Sequence, residues 1–163
     1  MKPIRMTVLV AVTCFGTTAN ADWESSLLPH GFSHQKAIEQ AVAEGKRTTK
    51  PVIVYYTRTN CPPCNVLKGI LRSEPTAGIY RERYIFTAVW GSSMGHTERE
   101  RYRSLYNVQG APTWLFFNSD GDYVCTAHGG FSTADGAKLL NDSVQNLLKS
   151  SVNRTSPEPR SCT

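Results

Sequence analysis

What this 163-residue sequence lacks narrows its reading before any motif is considered. Beyond the first 21 residues there is no apolar run approaching the roughly 20 residues needed to cross a bilayer, so the mature chain is not expected to span a membrane. No repeat recurs at solenoid periods, which excludes a stacked-repeat architecture. Excess charge is small. Without Lys2 and Arg5 the 18 basic residues become 16 against 13 acids, leaving +3, too little to argue for nucleic acid as a partner. The densest charged stretch, Glu98 to Arg103, alternates in sign as a solvated helix face does. One close pair of cysteines is present with no second paired Cys or His spacing, which argues against a four-ligand zinc site.

The chain length suits one ordinary domain with a real core. Lys2 and Arg5 precede the apolar run Met6 to Gly16, and Ala19-Asn20-Ala21 gives a small-x-small pattern before Asp22. This predicts a secretory signal peptide over 1–21, a folded domain over 22–149 and a flexible tail over 150–163, rich in Ser, Pro and Arg. A retained anchor and a lipoprotein signal at Cys14 stand as alternatives. Cleavage leaves Cys61, Cys64, Cys125 and Cys162 in a compartment where disulfides persist: the periplasm, or the exterior if the host is not Gram-negative.

The predicted elements alternate. A helix is expected from an N-cap at Ser33 through Ala37, Ile38, Ala41 and Val42 to a stop at Gly45, followed by a buried strand over Val52–Thr57. Cys61-Pro62-Pro63-Cys64 opens a second helix carrying Val66, Leu67, Ile70 and Leu71 until Ser73-Glu74-Pro75 breaks it. A strand over Tyr84–Trp90, a helix over Thr97–Tyr106 and two strands over Thr113–Asn118 and Asp122–Ala127 follow, the last pair joined by an Asp-Gly turn. A final helix begins near Ser132. A strand, a helix and a strand in one sheet imply a right-handed parallel crossover.

Two cysteines separated by two residues at a helix start suit thiol–disulfide exchange, which needs one thiolate to attack and a neighbouring thiol to resolve the mixed disulfide. The unpaired N–H groups and the dipole of the helix favour negative charge there. Cys61, expected to be exposed, is therefore the candidate nucleophile and Cys64 the resolving thiol; a structural disulfide is the main alternative. Cys125 and Cys162 are either bonded to each other, pinning the tail, or free, with a Cys162 linked to a partner protein as a third alternative. His30, His34, His96 and His128 are isolated in sequence and read as surface or loop residues. Trp90, Trp114, Phe116 and Phe117 read as core, with Trp114 also able to border a substrate groove. Sequons begin at Asn141 and Asn153, meaningful only in a eukaryotic host.

The succession of strand, Cys-x-x-Cys, helix, strand and helix, then Gly110-Ala111-Pro112-Thr113 leading into a hairpin, resembles the thioredoxin superfamily over Ser33 to Lys149. Within it, Ala37 to Cys64 is similar to exported domains related to the periplasmic C-terminal domain of the transmembrane thiol:disulfide interchange reductase. The resemblance implies an α/β fold, a central mixed sheet of four to five strands flanked by helices. It also implies a cis peptide bond before Pro112, with Ala111 and Pro112 shaping the groove for a substrate chain. The expected activity is protein-disulfide reduction without a bound cofactor or metal, fed by a membrane-bound electron donor. Clients would be proteins with cysteines or disulfides, such as apocytochromes or misbridged chains. A binding or assembly module with permanently oxidised cysteines, or a net oxidase or isomerase, stand as alternatives.

Two positions depart from the family pattern. Asn60 stands where many relatives carry Trp, and Tyr55 where many bury an acid, so a phenol with an ordinary pKa near 10 replaces a carboxylate. Slow resolution by Cys64 is expected near neutral pH. Pro62 and Pro63 have no N–H, so fewer backbone donors face the Cys61 thiolate, and Pro63 is expected to delay the helix start. A less stabilised thiolate makes a more reducing couple, nearer thioredoxin at about −270 mV than a strong periplasmic oxidant at about −120 mV.

Overall fold

The protein is described from a computed structural model over residues 34–129, 133–150 and 161–162. The expectations for the signal peptide and the Ser33 cap, and for most of the tail, lie outside these residues. The element order is α1 (His34–Thr48), β1 (Val52–Thr57), α2 (Pro62–Arg72), α3 (Thr76–Arg83), β2 (Ile85–Trp90), α4 (His96–Tyr106), β3 (Thr113–Phe117), β4 (Tyr123–His128) and α5 (Ala134–Ser150).

Strand β1 is buried along its whole length because it lies inside the sheet and is covered on both faces. The sheet has four strands in the order β2-β1-β3-β4, with β1–β2 parallel and both other pairings antiparallel. Alternation along each strand sorts the core into two layers. Ile53 and Tyr55 of β1 stand opposite Phe116 and Trp114 of β3 and pack with Leu67 and Leu71 of α2, Tyr80 of α3 and Ala137, Leu140 and Val144 of α5. Val52, Val54 and Tyr56 turn to the other face, with Leu115, Phe117, Ala41 of α1 and Tyr102 of α4. Both thiols of the close pair belong to the first layer.

The helices differ from the sequence reading in three places. Helix α1 does not stop at Gly45 but runs to Thr48, and the Lys50 amide returns to the Gly45 carbonyl at 3.0 Å across Thr49, which takes a left-handed conformation with φ of 55°. That is a C-terminal cap in which Thr49 occupies the place glycine usually fills. Gly45 serves close packing instead: a Cβ there would lie 2.7 Å from Val52 Cγ2 and 2.9 Å from the Lys50 carbonyl oxygen. Helix α2 begins at Pro62 directly after Cys61, not late, since a fixed proline φ suits a first turn whose N–H groups have no helical partner. Helix α3 is an element the sequence reading left out. Its buried Ala77 and Tyr80 continue to Tyr84 at helical spacing, and Glu74 Oε2 accepts the Gly78 amide at 2.9 Å at its start.

The β3–β4 hairpin forms as its Asp-Gly turn predicts. Asn118 Oδ1 accepts the amides of Asp120 and Asp122 at 2.9 and 2.8 Å, and Gly121 takes φ of 88°. The tip packs against α1, where a Cβ on Gly121 would fall 2.5 Å from Val42 Cγ1.

Candidate active site

Cys61 sits at the N-cap of α2 with extended backbone (φ −112°, ψ 94°), and its carbonyl accepts the Asn65 amide at 3.2 Å, closing the first turn. Pro62 and Pro63 fill the first two helical positions, so the first amide able to face the Cys61 sulfur is that of Cys64, which donates to Sγ at 3.3 Å. Cys61 and Cys64 are joined as a disulfide. Beside them the Ala111–Pro112 bond is cis, and the Ala111 carbonyl oxygen lies 3.7 Å from Cys61 Sγ. The structure thus brings together Cys61, Cys64, Ala111 and Pro112, which are far apart in sequence. Pro62 and Pro63 form the exposed outer edge of this cluster.

The electrostatic balance at Cys61 follows from these contacts. One main-chain N–H points at the sulfur and one carbonyl oxygen faces it. A thiolate gains from the first and loses to the second, so the helix start gives it less support than the bare dipole argument suggests.

Cys61 is not exposed, contrary to the sequence expectation: it is 2% exposed and Cys64 1%. Bonding to Cys64 draws the sulfur under the first turn of α2, toward the Ala111 carbonyl.

Behind the pair lies a layer of aromatic side chains. Trp114 is fully buried, with ring centroids of Tyr55, Phe86 and Tyr80 at 5.4, 5.6 and 5.7 Å, so it belongs to the core and does not border a groove. Trp90, at the end of β2, and Ala111 are only partly buried and pack against the same layer. Tyr55 is buried in it, at the position where an acid is common in the resembling family. Among the described residues no Asp, Glu, Lys, Arg or His is buried; the buried polar side chains are five threonines and Asn141. Burial pushes the Tyr80 and Tyr84 phenols above the usual range. Among the described residues this layer holds no carboxylate or imidazole to accept a proton from Cys64 near neutral pH.

The loop before Cys61 is braced by a contact the sequence did not signal. The Thr59 amide donates to Ser92 Oγ at 3.3 Å, and the two hydroxyls meet at 3.0 Å, tying the β1–α2 loop to the residues after β2. Ser93 Oγ in turn meets His34 Nε2 at 3.1 Å, and His34 Nδ1 meets Glu98 at 3.2 Å, so His34 is a bridge between helices and not an isolated surface group. Neither contact leaves a pattern along the chain, because each joins short polar residues far apart in sequence.

Cys125 and Cys162 are bonded, resolving the alternatives left by the sequence. Ser161 pairs with Thr126 in a short parallel bridge, and the Cys162 amide donates to the Thr126 carbonyl at 3.0 Å, so this part of the tail is held on the outer edge of β4. Asn141 is buried, accepts the Tyr84 hydroxyl at 3.0 Å and donates to Asp142 at 3.2 Å, so the first sequon is closed to modification in the folded chain. Asn153 lies outside the described residues.

The profile of the thioredoxin-like domain family matches residues 35–143. No curated protein matches the chain. Among solved structures, a disulphide isomerase from Xylella fastidiosa Temecula1 aligns with a TM-score of 0.52 at 19% identity, covering 77% of this chain and 96% of that one. The reduced C-terminal domain of DsbD from Neisseria meningitidis aligns at 0.53 and 15% identity, covering 64% and 92%. A DsbH oxidoreductase aligns at 0.51 and 20% identity, covering 68% and 81%. At these identities the structures speak for the fold, whereas the family model covers residues 35–143 and so includes Cys61, Cys64 and the cis-proline loop. This chain belongs to the thioredoxin-like domain family.

Proposed function

We propose that this protein is an exported thiol–disulfide oxidoreductase that reduces disulfides in other proteins through Cys61 and Cys64. The reduced pair acts in two displacements. The Cys61 thiolate attacks one sulfur of a client disulfide, forming a mixed disulfide and releasing the other client sulfur as a thiolate. Cys64, deprotonated, then attacks Cys61 Sγ, re-forming the Cys61–Cys64 bond and releasing the second client thiolate. Two electrons pass from the pair to the client, and a donor must return them, for which a membrane-bound dithiol is proposed. No cofactor takes part in either displacement. Pro112 and the Ala111 backbone, beside Cys61, are proposed to receive the client chain.

One observation carries the reducing direction: among the described residues the Cys61 sulfur has a single main-chain donor, the Cys64 amide, and an opposing carbonyl 3.7 Å away. Poor support for the thiolate disfavours the dithiol form and makes the couple reducing. The leader-like first 21 residues support export. Equilibration with glutathione or dithiothreitol buffers tests the direction. A potential near about −270 mV is expected, and one above about −170 mV would reverse the assignment.

A further inference from the structure

Between Gly45 and Ser73 the chain carries Lys46, Arg47, Lys50, Arg58, Lys68 and Arg72 and no acid at all. Arg58 is the one set in the active-site loop: it is exposed, precedes Cys61 by three residues and makes no ion pair among the described residues. Its neighbour Thr59 is bonded to Ser92, and across that brace Arg99 donates to the Met94 carbonyl at 2.7 Å and reaches the Gly91 carbonyl at 3.5 Å. Three positive charges, Arg99, Arg103 and Arg58, and one negative charge, Glu98, act on the Tyr56 hydroxyl near the end of β1, which places an excess of cations around one end of the sheet. On α4, Glu100 pairs with Arg103 at 3.4 Å and Glu98 meets His34 at 3.2 Å, which leaves Arg58 and Arg99 as the cations of this end with no carboxylate partner among the described residues. The cis-proline loop, Val108 to Thr113, has no charge of either sign.

We propose that this cationic rim, with Arg58 and Arg99 at its centre, selects client segments whose reactive cysteine is flanked by Asp or Glu. The proposal rests on the oxidoreductase reading and adds to it the chemical class of the client. Rim charges act mainly on encounter, so the preference should appear in the association rate and fade with salt.

The test uses the reduced full chain and two synthetic peptides with the same disulfide, one carrying Glu and the other Lys on both sides of the attacked cysteine. Wild-type protein at low ionic strength is expected to reduce the Glu peptide faster by about threefold or more, the scale for unit charges about 6 to 8 Å apart in solvent. About 0.5 M salt should remove most of that difference. Arg58→Glu should abolish or invert it. Lys46→Glu, an equal charge change at the end of α1 that leads into the opposite end of β1, should leave it. Equal rates for the two peptides, or equal effects of the two substitutions, would overturn the proposal. Failure to reduce either peptide would overturn the oxidoreductase reading, and the client preference with it.

Discussion

The two disulfides of this protein are equally buried and differently placed. Cys61–Cys64 spans three residues at the head of a helix, under the exposed Pro62 and Pro63 and against a cis-proline. Cys125–Cys162 spans 37 residues and fastens Ser161 and Cys162 to the edge strand β4. Burial alone does not tell the two bonds apart. What separates them is the consequence of opening: the first pair stays together because the helix turn holds it, whereas opening the second releases a chain segment from the sheet edge.

The largest expected effect falls on the first bond. Cys61→Ser should reduce insulin-disulfide reduction to the uncatalysed rate, while the double variant Cys125→Ser/Cys162→Ser keeps most of it. Loss of turnover in the double variant would erase the distinction. The reverse ordering is expected for stability. Removing the second bond should cost about 3 to 4 kcal/mol in denaturant unfolding by the chain-entropy estimate for a 37-residue separation, against a smaller loss for the three-residue one.

Next in size is the effect of the prolines. Pro63→Ala returns an N–H to the first turn of α2, where the Cys61 sulfur now has the Cys64 amide alone. One added donor contributing about 1 kcal/mol to the thiolate should raise the potential by about 20 mV. An unchanged or lower potential would remove the physical basis of the reducing direction.

The smallest effect concerns the aromatic layer behind the thiols. The Tyr80 hydroxyl donates to the Ala137 carbonyl at 2.9 Å, and burial holds its pKa above that of an exposed phenol. The folded state therefore keeps a proton that the unfolded chain gives up above pH about 10, so this contribution is full below that pH and lost as pH rises. Tyr80→Phe should cost about 1 kcal/mol at neutral pH and flatten the alkaline decline in stability. A decline as steep as in wild type would assign it to other groups.

Much of this was legible in the sequence because it depends on neighbours along the chain. The β-branched and aromatic run of β1, the Asp-Gly turn and the placement of Cys61 and Cys64 at a helix start are local signals, and the structure reproduces them. Helix α3 escaped because its buried positions are few and include Thr76 and Ala77, which give a weak apolar stripe. The extent of α1 is hidden in the sequence because Gly45 has the look of a stop, when its small size answers Val52 across the turn. At the site, the sequence named the thiols and the proline but not the Ala111 carbonyl over Cys61 or the Thr59–Ser92 brace. Those are through-space contacts set by the sheet, and no spacing encodes them.

The central claim is that Cys61 is the sulfur that joins to the client, despite its burial in the oxidised state. Mass-spectrometric mapping of the mixed disulfide trapped on Cys64→Ala with a disulfide-containing client protein tests it most directly. The account predicts a bond from Cys61 to a client cysteine, lost in Cys61→Ser/Cys64→Ala; a client bound through Cys125 or Cys162, or no adduct from the reduced folded protein, would contradict it.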